Sequence, residues 1–129
     1  MTDDDTARKL EVVEAVTDAF DRHDLDGILV HFTDDCVFEG PRGPHPYGNR
    51  WVGKAAVREA FAARFAGIPD IRYTDGSHFV AGNRGVSEWL LSGTDTSGNR
   101  IEVRGCDIWT FEGDKIAVKN SFWKIRPTS

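Results

Sequence analysis

The segment Ile101–Phe111 leaves this chain little choice of local structure. It reads Ile-Glu-Val-Arg-Gly-Cys-Asp-Ile-Trp-Thr-Phe. β-branched and aromatic residues dominate, which favours a pleated strand. Alternation puts Ile101, Val103, Gly105, Asp107, Trp109 and Phe111 on one face, with Glu102, Arg104, Cys106, Ile108 and Thr110 on the other. The first face is apolar except for Asp107. A carboxylate there has to be paired, reached by water in a cavity, or held neutral, because an isolated buried charge is too costly. Which of these holds decides what the chain can do chemically.

The rest of the chain divides into helices first and strands afterwards. Residues Met1–Asp5 read as a charged tail. Leu10, Val13, Val16 or Thr17, and Phe20 recur at helical spacing and predict a helix over Thr6–His23. Asp24 is placed to cap a short second helix, Leu25–Phe32, closed by Thr33-Asp34-Asp35. Cys36–Glu39 reads as a short strand. Gly40–Arg50 holds three prolines and excludes regular structure. Trp51-Val52-Gly53 then leads into a third helix, Lys54–Ala66, with Val57, Ala60 or Phe61, and Phe65 on its apolar stripe. Strands are predicted over 71–81 (broken or bulged), Gly85–Gly93, Arg100–Phe111 and Lys115–Ile125, with turns at Asp95–Asn99 and Glu112–Asp114 and a tail over Arg126–Ser129. Such segregation predicts an α+β fold: one domain over residues 1–129, with three N-terminal helices packed on a curved antiparallel sheet.

Charge and cysteine content narrow the partners. A net charge of −5 with no basic block argues against nucleic acid and anionic membrane. The acidic start lacks the features of a signal peptide, and no apolar run reaches transmembrane length. Cys36 and Cys106 make neither a disulfide framework nor a zinc site, so a reducing cytoplasmic setting is expected. No His/Asp/Glu spacing predicts a metal site.

Local sequences sharpen the fold. Asp24-Leu25-Asp26-Gly27-Ile28, Phe32-Thr33-Asp34-Asp35 and Val37-Phe38-Glu39-Gly40-Pro41 come first, followed by Asp107-Ile108-Trp109-Thr110-Phe111, Gly113, Ile116 and Phe122-Trp123. In this order they resemble the nuclear transport factor two-like superfamily, which includes ketosteroid isomerase and the SnoaL-like polyketide cyclases. The resemblance implies a cone, in which a bent sheet wraps a pocket and helices close its narrow side, and a homodimer formed through the outer sheet face. It places Asp107 where the isomerases keep a protonated aspartic acid and the cyclases an acid/base aspartate. Val16 stands where the isomerases have their catalytic tyrosine and Gly40 where they have their aspartate base. Ketosteroid isomerisation by that route is therefore not expected.

These residues frame the expected site. Asp107 is the candidate acid/base; its plain alternative is a structural ion pair. Lys119 shares a strand face with Ser121, Trp123 and Ile125. If Trp123 points inward, as the resemblance implies, Lys119 does too, and it becomes a partner of Asp107, an oxyanion stabiliser or a nucleophilic amine. Glu39, His45 and Tyr47 are rim residues from which a replacement base or a polarising group could come. By strand parity Glu39 faces away unless a bulge turns it inward. Trp109 and Trp123 are expected to line the pocket and Trp51 its mouth, while Trp89 has no predicted place. The expected function is proton transfer (isomerisation, aldol-like cyclisation or dehydration) on a small, largely apolar carbonyl or ring compound, with no cofactor and no metal. The alternatives are a non-catalytic binder of a hydrophobic ligand and a dimeric interaction module.

Overall fold

A computed structural model describes residues 3–127. Helix α1 (Asp3–Asp21) buries Val12, Val13, Val16, Ala19 and Phe20, one face at helical spacing. The expected tail is thus helical from Asp3; residues 1–2 and 128–129, the outer parts of both expected tails, lie outside the described residues. Asp24 caps α2 (Leu25–Leu29), its carboxylate accepting from the Gly27 N–H at 3.0 Å.

Strand β1 (Phe32–Glu39) starts earlier than predicted. Thr33-Asp34-Asp35 belongs to it, as an irregular stretch between Phe32 and Val37. Those three polar residues hid the strand, but Phe32 behind them is buried and pairs with Ile116. A three-residue strand, β2 (Arg50–Val52), closes onto β1, where only a lead-in was expected. Helix α3 (Lys54–Gly67) is entered through Gly53, at a positive φ of 90° that suits glycine, and buries Val57 and Phe61.

Strands β3 (Arg72–Ala81), β4 (Arg84–Thr94), β5 (Arg100–Glu112) and β6 (Lys115–Trp123) form a meander. The bulge predicted within 71–81 falls between Thr74 and Ser77, where Asp75 takes φ 55°. The six strands form one curved, open sheet in the order β2-β1-β6-β5-β4-β3. The fold is α+β as predicted, with one difference in the sheet. β1 runs parallel to β6, so the sheet is mixed and not purely antiparallel. Hairpin turns dictate antiparallel neighbours along the meander, whereas no turn links β1 to β6.

Two buried clusters hold the layers together. Helices α1 and α3 press Phe20 and Phe61 onto Phe32, Phe38 and Trp109 of the sheet. Ile68, Ile71, Trp89, Leu91 and Val103 make a second cluster beside them. The polar site lies between these clusters.

Candidate active site

Asp107 and Lys119 meet because β5 and β6 are neighbours in register. Asp107 lies opposite Ser121, and Trp109 opposite Lys119, all on the inward face. The Lys119 ammonium donates to Asp107 Oδ1 at 2.7 Å and to Ser121 Oγ at 2.7 Å. Ser121 Oγ donates to the same Asp107 oxygen at 2.5 Å. From β4, the Trp89 indole N–H donates to Asp107 Oδ2 at 2.9 Å. Indole and ammonium are donors only, so both carboxylate oxygens serve as acceptors. Asp107 is 4 %, Lys119 5 % and Ser121 4 % exposed, so water replaces none of these contacts.

The ammonium is also ringed by aromatic faces. It stands 4.9 Å from the Phe20 and Phe38 ring centres, 5.7 Å from Trp109 and 5.8 Å from Phe61. Burial among them pushes the lysine below its usual range, against the upward pull of the Asp107 charge and hydrogen bond.

Trp89 reaches Asp107 because β5 has no side chain at Gly105, its cross-strand partner. A Cβ at Gly105 would stand 2.5 Å from two carbons of the Trp89 ring. The pairing of that glycine with the one tryptophan left unplaced was visible in the sequence only once the register was known.

Two spaces, parted by four residues that line both, adjoin the cluster. The inner one, about 20 Å³, is lined by Phe20, Phe61, Tyr73, Trp89, Lys119 and Ser121, and is closed outward by Phe38, Pro41, Arg64 and Trp123. It has room for about one water. Asp107 does not line it; the carboxylate lies behind Lys119, Ser121 and Trp89. The same four closing residues also line a cleft of about 1250 Å³ on the outer side. Tyr73 faces the inner space from β3, its phenol pushed well above the usual range by burial. Arg64, on α3, lies with its guanidinium 4.6 Å from the Trp123 ring centre. Tyr73 and Arg64 were not singled out from the sequence. Arg64 carried a signal, since it falls three residues after Phe61 and seven after Val57 on the buried stripe. Tyr73 had none, since the bulge after Thr74 breaks the alternation that fixes facing.

The remaining expected residues lie elsewhere. Trp109 does not line either space: it is fully buried, and its indole N–H donates to Ser87 Oγ at 2.8 Å. Trp123 lines both spaces, and Trp51 lines the outer cleft, stacked on Phe38 at 5.1 Å. Glu39 is not turned inward. β1 and β6 keep register there, Phe38 takes the inward place, and Glu39 pairs with Arg50 at 2.6 Å. His45 and Tyr47 are exposed, stack on each other at 5.0 Å, and line neither space. Their loop folds on itself through a His45–Gly48 bridge and the Asn49 N–H to Arg42 carbonyl bond, leaving Pro41 and Arg42 to face the cleft.

His78 and Ser87 form a second polar pair, 2.7 Å apart. Ser87 is fully buried and also accepts from Trp109, which suits a structural bond and not a nucleophile. Among the described residues, no group of three His, Cys, Asp or Glu is placed to hold a metal ion.

The family model described as a SnoaL-like domain matches residues 13–119. No curated protein matches the chain in sequence. Among solved structures, a candidate polyketide cyclase of Xanthomonas campestris pv. campestris is 19 % identical, with 93 % of each chain covered and a TM-score of 0.82. An NTF2-like protein of unknown function from Mesorhizobium loti is 26 % identical, covering 97 % of this chain and 98 % of its own, with a TM-score of 0.78. A candidate polyketide cyclase of Pseudomonas putida is 20 % identical over 91 % of this chain and 92 % of its own, with a TM-score of 0.78. The two likenesses at 19 % and 20 % speak for the fold alone.

Proposed function

The chain belongs to the SnoaL-like domain family, and from that premise we propose that it is an enzyme moving a proton on a small carbonyl compound. The observation that carries this reading is that Lys119, not Asp107, faces the inner space. A carbonyl oxygen occupying the water-sized space would accept from the Lys119 ammonium, with the Tyr73 side chain lining the same space. As the proton leaves the adjacent carbon, negative charge gathers on that oxygen. A fixed cation in a dry site stabilises such charge far more than water does. Ser121 Oγ lines the same space and already donates to Asp107. It is placed to take the proton from carbon while giving its own to Asp107 Oδ1. The carboxylate then ends protonated and the substrate becomes an enolate against Lys119. Isomerisation, aldol-like cyclisation and dehydration all begin with this step.

The test is deuterium exchange at the α-carbons of small cyclic ketones and 1,3-diketones in D2O, followed by proton NMR. The wild-type protein is expected to accelerate exchange. The Lys119→Met/Asp107→Asn double variant, which leaves no lone charge buried, is expected to fall to the buffer rate. Tyr73→Phe should lose about 100-fold, as for one oxyanion donor. Exchange no faster than buffer, or a double variant as fast as wild type, would overturn the proposal. The small inner space favours one rival, a protein that holds a ligand without turning it over; binding with no exchange in any compound would select it.

A further inference from the structure

We infer that the outer cleft recognises a carboxylate, held by Arg64 with Arg42 nearby beside Trp123, so that the substrate class is a flat keto acid. The inference rests on the reading above for the carbonyl end of the molecule, and on separate observations for its anionic end.

The guanidiniums of Arg64 and Arg42 lie over the Trp123 ring as cation–π contacts, 4.6 and 6.0 Å from its centre. Among the described residues, neither guanidinium has a hydrogen bond or ion pair with a protein group. Arg22, Arg50, Arg58, Arg72 and Arg104, by contrast, each reach a carboxylate at 2.9 Å or less, and Arg64 differs from the equally unpaired Arg84 in being half-buried in a cleft. Arg64 is half-buried, and burial together with the nearby Arg42 charge disfavours its charged form. Two like charges beside one indole repel, and a bound anion offsets that repulsion and part of the cost of burying Arg64. A guanidinium holds a carboxylate through two parallel N–H bonds.

The surroundings agree in sign and shape. The cleft carries Arg42, Arg64, Arg100, Lys124 and Arg126 against Glu59, Asp95 and Glu102, on a chain whose net charge is −5. Its apolar wall includes Trp51, Leu91 and Val103, suited to a flat ring or conjugated body. Arg64 lines the inner space as well, so one molecule can set its carboxylate on Arg64 and its carbonyl on Lys119.

The test is binding of 2-naphthoate against neutral 2-naphthamide, read by the Trp123 indole N–H shift in two-dimensional NMR. Naphthoate is expected to bind at least tenfold more tightly. Arg64→Gln should abolish that preference with a dispersed, folded spectrum, and Arg42→Gln, on an exposed loop, should reduce it. The Lys119→Met/Asp107→Asn variant should keep it. Equal binding of the two probes, or a preference that survives Arg64→Gln, overturns the inference. A preference lost in the Lys119 variant and kept in Arg64→Gln also overturns it, because the anion then sits on the lysine. Failure of deuterium exchange with the naphthoate preference intact removes the proton-transfer reading and leaves the anion site standing.

Discussion

Asp107 and Lys119 hold each other in place 2.7 Å apart, with only 6 % of each side chain exposed. Neither tolerates loss of the other. Replacing Lys119 by Met leaves a buried carboxylate with only Ser121 and Trp89 as donors. Removing one partner of such a pair destabilises by about 3–5 kcal/mol, while removing both charges is often near neutral. Urea unfolding of Lys119→Met should therefore show a loss of that size, with most of it regained when Asp107→Asn is added. A double variant as unstable as the single one would mean that the pair is not the dominant local interaction. At this scale the sequence was partly legible. Alternation put Asp107 on the apolar face of β5 and grouped Lys119 and Ser121 with Trp123 on β6; that the β6 face points inward was implied only by the family resemblance, through Trp123. Alternation did not predict that Trp89 and Ser121 would take up Asp107's remaining acceptor positions. The Trp89 contact depends on the β4–β5 register and on the missing side chain at Gly105, and the Ser121 contact on the β5–β6 register.

The elements are tied to one another at polar points that sequence periodicity does not report. The end of α1 is fastened to β3 by Asp21, whose carboxylate accepts from Arg72 at 2.7 and 3.0 Å and from the Tyr73 N–H at 3.0 Å. This fastening positions Tyr73 at the inner space. The Arg72 hydrogen bond, with the Tyr73 N–H adding to it, holds the Asp21 carboxyl below its usual range against the opposing effect of burial. A depressed folded value stabilises the fold above the unfolded value of about 3.9, and that contribution is lost as pH falls through the folded value. Asp21→Asn should thus have a lower urea midpoint than wild type at pH 7, and the gap should narrow as pH falls below the unfolded value of about 3.9 and through the lower folded one. A gap that persists unchanged in acid would assign it to packing instead. Helices α1 and α3 were legible because their apolar stripes are long, whereas α2 stops at Leu29 and the predicted end, Phe32, belongs to β1. β2 was not legible, since three residues carry too little alternation, and the start of β1 was masked by Thr33-Asp34-Asp35. The loop predicted over Gly40–Arg50 is irregular up to Asn49, and Arg50 opens β2. Its closure on itself, which keeps His45 and Tyr47 off the site, comes from backbone bonds that its composition does not specify.

Over the whole molecule, an acidic chain folds so that a cationic cleft leads to a buried ammonium. The α+β class was readable from helices preceding strands. The parallel β1–β6 pair, which closes the core over α3, was not, because no hairpin announces it. That pair sets Phe38 beside Lys119 and so completes the aromatic ring around the cation. Stabilisation of an enolate in this site requires Lys119 to be a desolvated cation that Asp107 keeps charged. The most direct measurement is an NMR titration of the Lys119 side chain in the wild-type protein and in Asp107→Asn. The expected result is a titration below the ordinary lysine value of about 10.4, moving lower still in Asp107→Asn as the upward pull of the carboxylate is removed. A Lys119 that titrates at or above the ordinary value, or that does not respond to Asp107→Asn, would contradict the account.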